Sequence, residues 1–225
     1  MADENQDQSQ KTEEPTQKKL DDAKEKGQVA KSQEVNHWFM ILASTVMVMM
    51  FLPTTMKNFG GLLQKFIEQP HLISVDKLGL RATLADTIQE TVFILLPTLV
   101  LFVLAAIAAG VIQNGLIISA EQMKPKLSKI SMKSGLKRLF SMKSIAEFSK
   151  GIAKIAIVAS VGIAIIWPAF SGLERLPSME LISSIGVLYS LTIRLMIGVL
   201  AIVSLIAVLD FLFQRFQHLK EMKMS

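Results

Sequence analysis

Apolar residues in this chain gather into four long runs, roughly residues 35–52, 91–118, 151–170 and 181–213, with polar stretches between them. Runs of this length, too apolar to spread over one water-facing surface, predict membrane-embedded helices. A helix crossing a hydrocarbon core of about 30 Å needs about 20 residues at about 1.5 Å each. The second run meets that length despite Pro97. The first has a short stretch from Trp38 to Leu52 before Pro53, and the third carries Lys154 near its start and Trp167-Pro168 near its end, so both are marginal spans. The fourth would reach about 50 Å as one helix, with Arg194 inside and Asp210 near its end; it must tilt, break or project. The fold class expected is an all-α membrane protein, four hydrophobic helical segments arranged as two hairpins.

Composition agrees: of 225 residues 51% are hydrophobic and 19% charged, and the mean hydropathy is +0.43, too apolar for an ordinary soluble domain. Cysteine is absent, which excludes disulfides, thiolate nucleophiles and Cys-based metal sites. The net charge of +5 hides a local asymmetry: Lys and Arg number six in residues 1–34, four in 53–90, eight in 119–150, one in 171–180 and three in 211–225. Basic residues favour the cytoplasmic side of short connections. That places the joining loop 119–150 and both termini in the cytoplasm. The expected organisation is an arm over 1–34 (1–10 disordered), a first hairpin 35–118, a basic amphipathic cytoplasmic loop 119–150, a second hairpin 151–213, and the start of a cytoplasmic linker, 214–225. A signal peptide is not expected, because the first apolar run starts only near Val35.

The joining loop is unusual for a solvated connector. Its eight basic residues are threaded with Leu127, Ile130, Leu136, Leu139, Phe140, Ile145 and Phe148. Leu136, Leu139 and Phe140 share one helical face, with Lys137 and Arg138 on another. Pro125 and Gly135 punctuate the stretch before them. Ser144 and Glu147 have capping-box spacing, so a helix is expected to begin there. The segment reads either as a basic surface helix on anionic lipid or as a strap that docks on a partner. Nucleic acid is disfavoured, since one aromatic residue near the basic core offers little base stacking. Small residues four apart, Ala106, Gly110 and Asn114 in the second run and Ala156, Ser160 and Ala164 in the third, suit close helix approach. Packing within each hairpin is the simpler reading, an intermolecular seam the other.

Candidate chemistry is sparse. His37, His71 and His218 show no ligand spacing, and no GxSxG or phosphate-binding GxxxxGKS/T occurs, so no catalytic residue, metal site or cofactor is expected. Arg194 and Asp210 are the intramembrane charges to explain, because a charge at mid-bilayer costs about 3 kcal/mol. They allow an alternative, a small proton or solute transporter with both on its path. The plainer reading has Arg194 snorkelling, Lys154 and Asp210 at an interface, and Asp86 and Glu90 on a solvated flank.

The arm from Lys11 to Glu34, KTEEPTQKKLDDAKEKGQVAKSQE, resembles the signature of the export-switch family of flagellar and virulence type III secretion. The matches are Thr12, Glu13, Pro15, Thr16, Lys18, Lys19, Leu20, Ala23, Gly27, Gln28, Val29, Lys31, Ser32 and Glu34. The loop resembles the same family at Pro125, Leu127, Gly135, Lys137, Arg138, Leu139, Phe140, Ser141 and Glu147, and departs from it at Ser131-Met132, where the family usually has Asn-Pro. The resemblance implies a non-enzymatic subunit of the flagellar export gate in the bacterial inner membrane at the basal body, passing unfolded flagellar proteins. It implies FliP, FliQ and FliR, other export proteins and membrane lipid as partners, with the loop wrapping the cytoplasmic entrance. Pro125, Leu127, Gly135, Leu136, Lys137, Arg138, Leu139 and Phe140 would contact partners there, and Pro15, Thr16, Lys18, Lys19, Leu20, Gly27, Gln28, Val29, Lys31 and Ser32 would do so from the arm. The family normally continues into a cytoplasmic domain that cleaves itself at Asn-Pro-Thr-His. That tetrapeptide does not occur in residues 1–225, so the chain is expected to be the membrane half, without autocleavage.

Overall fold

The computed structural model describes residues 29, 31–73, 76–115, 142–173 and 179–222, and among these the regular structure is all helical. Four stretches are long and apolar enough to cross a membrane. We label the helices α1 (Gln33–Val46), α2 (Leu52–Glu68), α3 (Lys77–Asn114), α4 (Met142–Leu173) and α5 (Leu181–Glu221).

The first span does not end at Pro53. Between α1 and α2 the chain makes one wide turn of π-helix, Met47–Phe51, in which the Leu52 amide reaches back five residues to the Met47 carbonyl. A proline in a helix lacks the N–H of its turn, and its ring crowds the preceding turn; the extra residue of a π turn opens the backbone there. Pro53 thus sits in the first turn of α2 and contributes no amide to the turn before it. The result is one helical run of 36 residues from Gln33 to Glu68. Beyond Glu68 a short 3₁₀ turn, Pro70–Leu72, leads toward Asp76, whose carboxylate caps α3 by accepting from the Gly79 amide at 3.3 Å. Helix α3 runs 38 residues through Pro97 and stops at Gly115, whose φ of +76° ends the helix. Helix α4 starts at Met142, so Ser144 lies inside its first turn and not at its cap. The fourth segment does not break: α5 is 41 residues long, about 60 Å at 1.5 Å per residue.

Helix α1 packs against both α3 and α5, α4 packs against α5, and α2 packs against α3. The order across the molecule is therefore α4, α5, α1, α3: two hairpins side by side, joined through α1 and α5. The buried side chains on α1, α3 and α5 are mostly small. Ala43, Ala109 and Ala207 are buried with Val203, and such small side chains let helices approach closely where lipid supplies no hydrophobic drive. In the second hairpin Gly198 plays this part, because a Cβ there would collide with Ile165 Cδ1 and lie 3.8 Å from Val161 Cγ1.

The small-residue stripes read from the sequence are elsewhere. Ala106, Ala156, Ser160 and Ala164 are exposed, and nothing lies within 4 Å of a Cβ added at Gly110. In α3 the buried small residue is Ala109, one position away from the expected row. Packing within the hairpins does not use these stripes. The molecule keeps both broad faces apolar, with Ile107, Ile155, Ile163, Leu205 and Leu209 all open.

Candidate functional site

The last residues of the arm meet three helices at one polar cluster. Ser32 is fully buried. Its Oγ accepts from the Val35 amide at 3.3 Å, capping α1, and donates to Asp210 Oδ2 of α5 at 2.6 Å. Its own amide donates to Gln113 Oε1 of α3 at 2.8 Å. The Gln113 side-chain nitrogen donates in turn to Asn36 Oδ1 at 2.8 Å and to the Ala109 carbonyl at 3.1 Å. Beside this cluster Glu34 forms an ion pair with Lys154 of α4, with Glu34 the more buried partner. One turn further along α1, Trp38 Nε1 donates to Ser204 Oγ at 2.6 Å.

The arrangement explains Asp210. Its carboxylate faces the N-terminus of α1, where amides without helical partners and the helix dipole favour negative charge, typically by 0.3–1 kcal/mol. Satisfied by Ser32, the group is an internal tie between the two hairpins. Arg194 lies 16 residues away on the same helix, about 24 Å along its axis. It is exposed and has no hydrogen bond or ion pair among the described residues. The two intramembrane charges are not brought together, which leaves the transporter alternative without support.

The remaining sequence-derived sites divide by location. Pro15, Thr16, Lys18, Lys19, Leu20, Gly27 and Gln28 of the arm lie outside the described residues. So do Pro125, Leu127, Gly135, Leu136, Lys137, Arg138, Leu139 and Phe140 of the loop. Val29 is half-buried and Lys31 exposed. Ser32, expected among the partner contacts of the arm, is buried here with its hydroxyl and amide bonded within the chain. Gln113, Asn36 and Ser204 escaped the sequence reading, being ordinary polar residues at helical positions whose partners are 77 and more residues away. The one signal available for Gln113 was a polar amide at the end of an apolar run. Glu90, expected on a solvated flank, stays open to solvent there and pairs with Lys65 Nζ at 2.8 Å, tying α2 to α3. His37 lies 3.9 Å from Glu34, and no group of side chains suited to a metal ion occurs among the described residues.

An all-helical membrane protein of two hairpins, with its N-terminal arm stitched into the bundle, is the class that fold and site define. The family model described as "FlhB HrpN YscU SpaS Family" matches residues 9–225. The chain belongs to that family. It is 34% identical over 220 residues to the Yop proteins translocation protein U of Yersinia pestis, which covers 96% of this chain and 60% of the relative. It is 29% identical to the flagellar biosynthetic protein FlhB of Bacillus subtilis, again over 96% of this chain and 60% of the relative. To FlhB of Escherichia coli K12 it is 30% identical, over all of this chain and 58% of the relative. The chain thus spans about 60% of the length of these relatives.

Proposed function

We propose that this chain is a non-enzymatic component of a type III protein-export apparatus of the flagellar kind, and that its basic joining loop wraps the cytoplasmic entrance of the gate. The family membership over residues 9–225 supports the broad reading. The observation that carries the finer one is where the chain's two basic segments meet the bundle. The arm reaches the bundle at Ser32, beside Gln113, two residues before α3 ends at Gly115; α4, which receives the loop, is tied to the same end by Lys154. Ser32 and Lys154 thus bring the described ends of the arm and of α4 to one end of the bundle, and the six basic residues of the arm and eight of the loop in the sequence support a cytoplasmic position for that end. The two open apolar faces suit a chain laid against other membrane subunits, for which FliP, FliQ and FliR are the proposed partners, with lipid covering the rest.

In this role Leu136, Leu139 and Phe140 anchor the loop in grooves between partner helices, and Lys137 and Arg138 bind carboxylates or carbonyls at the rim. Pro125, Leu127 and Gly135 shape the approach, and the exposed Lys31, with Lys18 and Lys19 before it, faces the same mouth. The double substitution Leu139→Asp/Phe140→Asp is expected to abolish export while leaving membrane insertion intact, measured by secreted substrate and membrane fractionation. Normal export from that variant would defeat the reading. A photocrosslinker at position 140 is expected to capture a gate subunit.

A further inference from the structure

The two prolines of the first hairpin, Pro53 and Pro97, lie at neighbouring depths. Lys65 faces Glu90 near the tip and Asn36 faces Gln113 near the arm. Counting inward at equal rise per residue, the Asn36–Gln113 pair sets Pro53 level with residue 96, and the Lys65–Glu90 pair sets it level with residue 102, about 7.5 Å from Pro97. Each proline removes one amide from its helix. In α3 the break is accompanied by Thr98, whose Oγ1 is buried with no hydrogen-bond partner among the described residues. At the other break, the carbonyls that an amide at residue 53 would serve at five- and four-residue spacing are those of Val48 and Met49. The Tyr189 hydroxyl of α5 lies 3.2 Å and 3.0 Å from these two oxygens. A side chain from the second hairpin thus stands in for the missing N–H of the first.

Beyond this level the first hairpin is a body of its own. Helix α2 packs on α3, Leu62 is buried, and Lys65–Glu90 closes the pair. Below it, α1 is held by α5 and by the Ser32 cluster. The joint between the two halves carries Met47, Met49 and Met50, with Met56 just beyond, and Met49, Met50 and Met56 are exposed. Their unbranched, flexible side chains can repack as neighbours move.

We propose that Pro53 and Pro97 form a common hinge across the first hairpin, and that the Tyr189 hydroxyl is the latch holding it in the state described. When the latch opens, residues 54–96 swing as a unit on the lower half. For Gln69, 16 residues past Pro53, a bend of about 20° moves the tip by about 8 Å. The proposal concerns the chain's mechanics and stands independently of the export reading.

The chain has no cysteine, so spin labels can be placed without background. With Gln69→Cys and Ser183→Cys labelled in the full chain in lipid nanodiscs, Tyr189→Phe is expected to widen the pulsed-EPR distance distribution and shift it by about 5 Å or more. A control pair at the arm end, His37→Cys and Arg215→Cys, is expected not to change. Adding Pro53→Ala, which restores the amide, is expected to suppress the effect of Tyr189→Phe. An unchanged tip distance in Tyr189→Phe overturns the latch. Equal widening of both label pairs overturns the hinge, since the hydroxyl would then hold the whole bundle. An effect undiminished by Pro53→Ala overturns the role of the missing amide.

Discussion

Ser32 combines three jobs in one small side chain: it caps α1, holds the Asp210 carboxylate and brings its amide to Gln113. Losing a helix cap costs about 1 kcal/mol, and an unsatisfied buried charge costs more. Ser32→Ala is therefore expected to destabilise the bundle by about 2 kcal/mol, read as a lower Tm in detergent. Asp210→Asn, which keeps an acceptor for the Ser32 hydroxyl, is expected to cost less. Ser32 and Glu34 were legible in the sequence as parts of a patterned arm. Their partners were not, because Asp210 is 178 residues away and Lys154 is 120, and a spacing that long carries no periodic signal. The sequence consequently offered Ser32 as an outward contact and Asp210 as a membrane charge, where the fold makes each the other's reason.

At the scale of the helix, the four apolar runs already marked the four spans, because a bilayer demands long unbroken hydrophobic stretches. The prolines misled. Pro53 reads as a stop by its missing amide, yet a π turn and a hydroxyl from another helix carry the run onward to Glu68. The ridges of small residues misled too, since spacing of four identifies a smooth face but not what lies against it. The close approach belongs to Gly198 under Ile165. Gly198→Ala requires the Ile165 tip to move aside and is expected to cost about 1 kcal/mol; Gly198→Val should cost about 2 kcal/mol or more. Ile165→Ala in the same chain should recover part of the loss from Gly198→Val, and thermal unfolding of the double variant checks this through its non-additivity.

For the whole molecule, the second hairpin is fastened to the first by a few polar ties and by small buried side chains. Glu34–Lys154 reaches from α1 past its immediate neighbour to α4. Reversing one charge, Glu34→Lys or Lys154→Glu, is expected to cost about 1–2 kcal/mol through like-charge contact, and the double reversal should recover most of it. Tm in detergent across the four variants measures the coupling. These ties also set levels. Glu34, Gln113, Lys154 and Asp210 share one layer, yet α4 starts 12 residues before Lys154 and α5 ends 11 residues after Asp210. The pair protrudes some way past that layer, about 18 Å along α4, with Lys150 resting over the Phe213 ring at 4.9 Å. Gly115, where α3 ends, lies near the layer, and Met142, the first described residue of α4, lies on top of the protrusion. These two described ends stand on different storeys, and shortening the stalk of α4 by whole turns ahead of Lys154 would lower Met142 toward the level of Gly115.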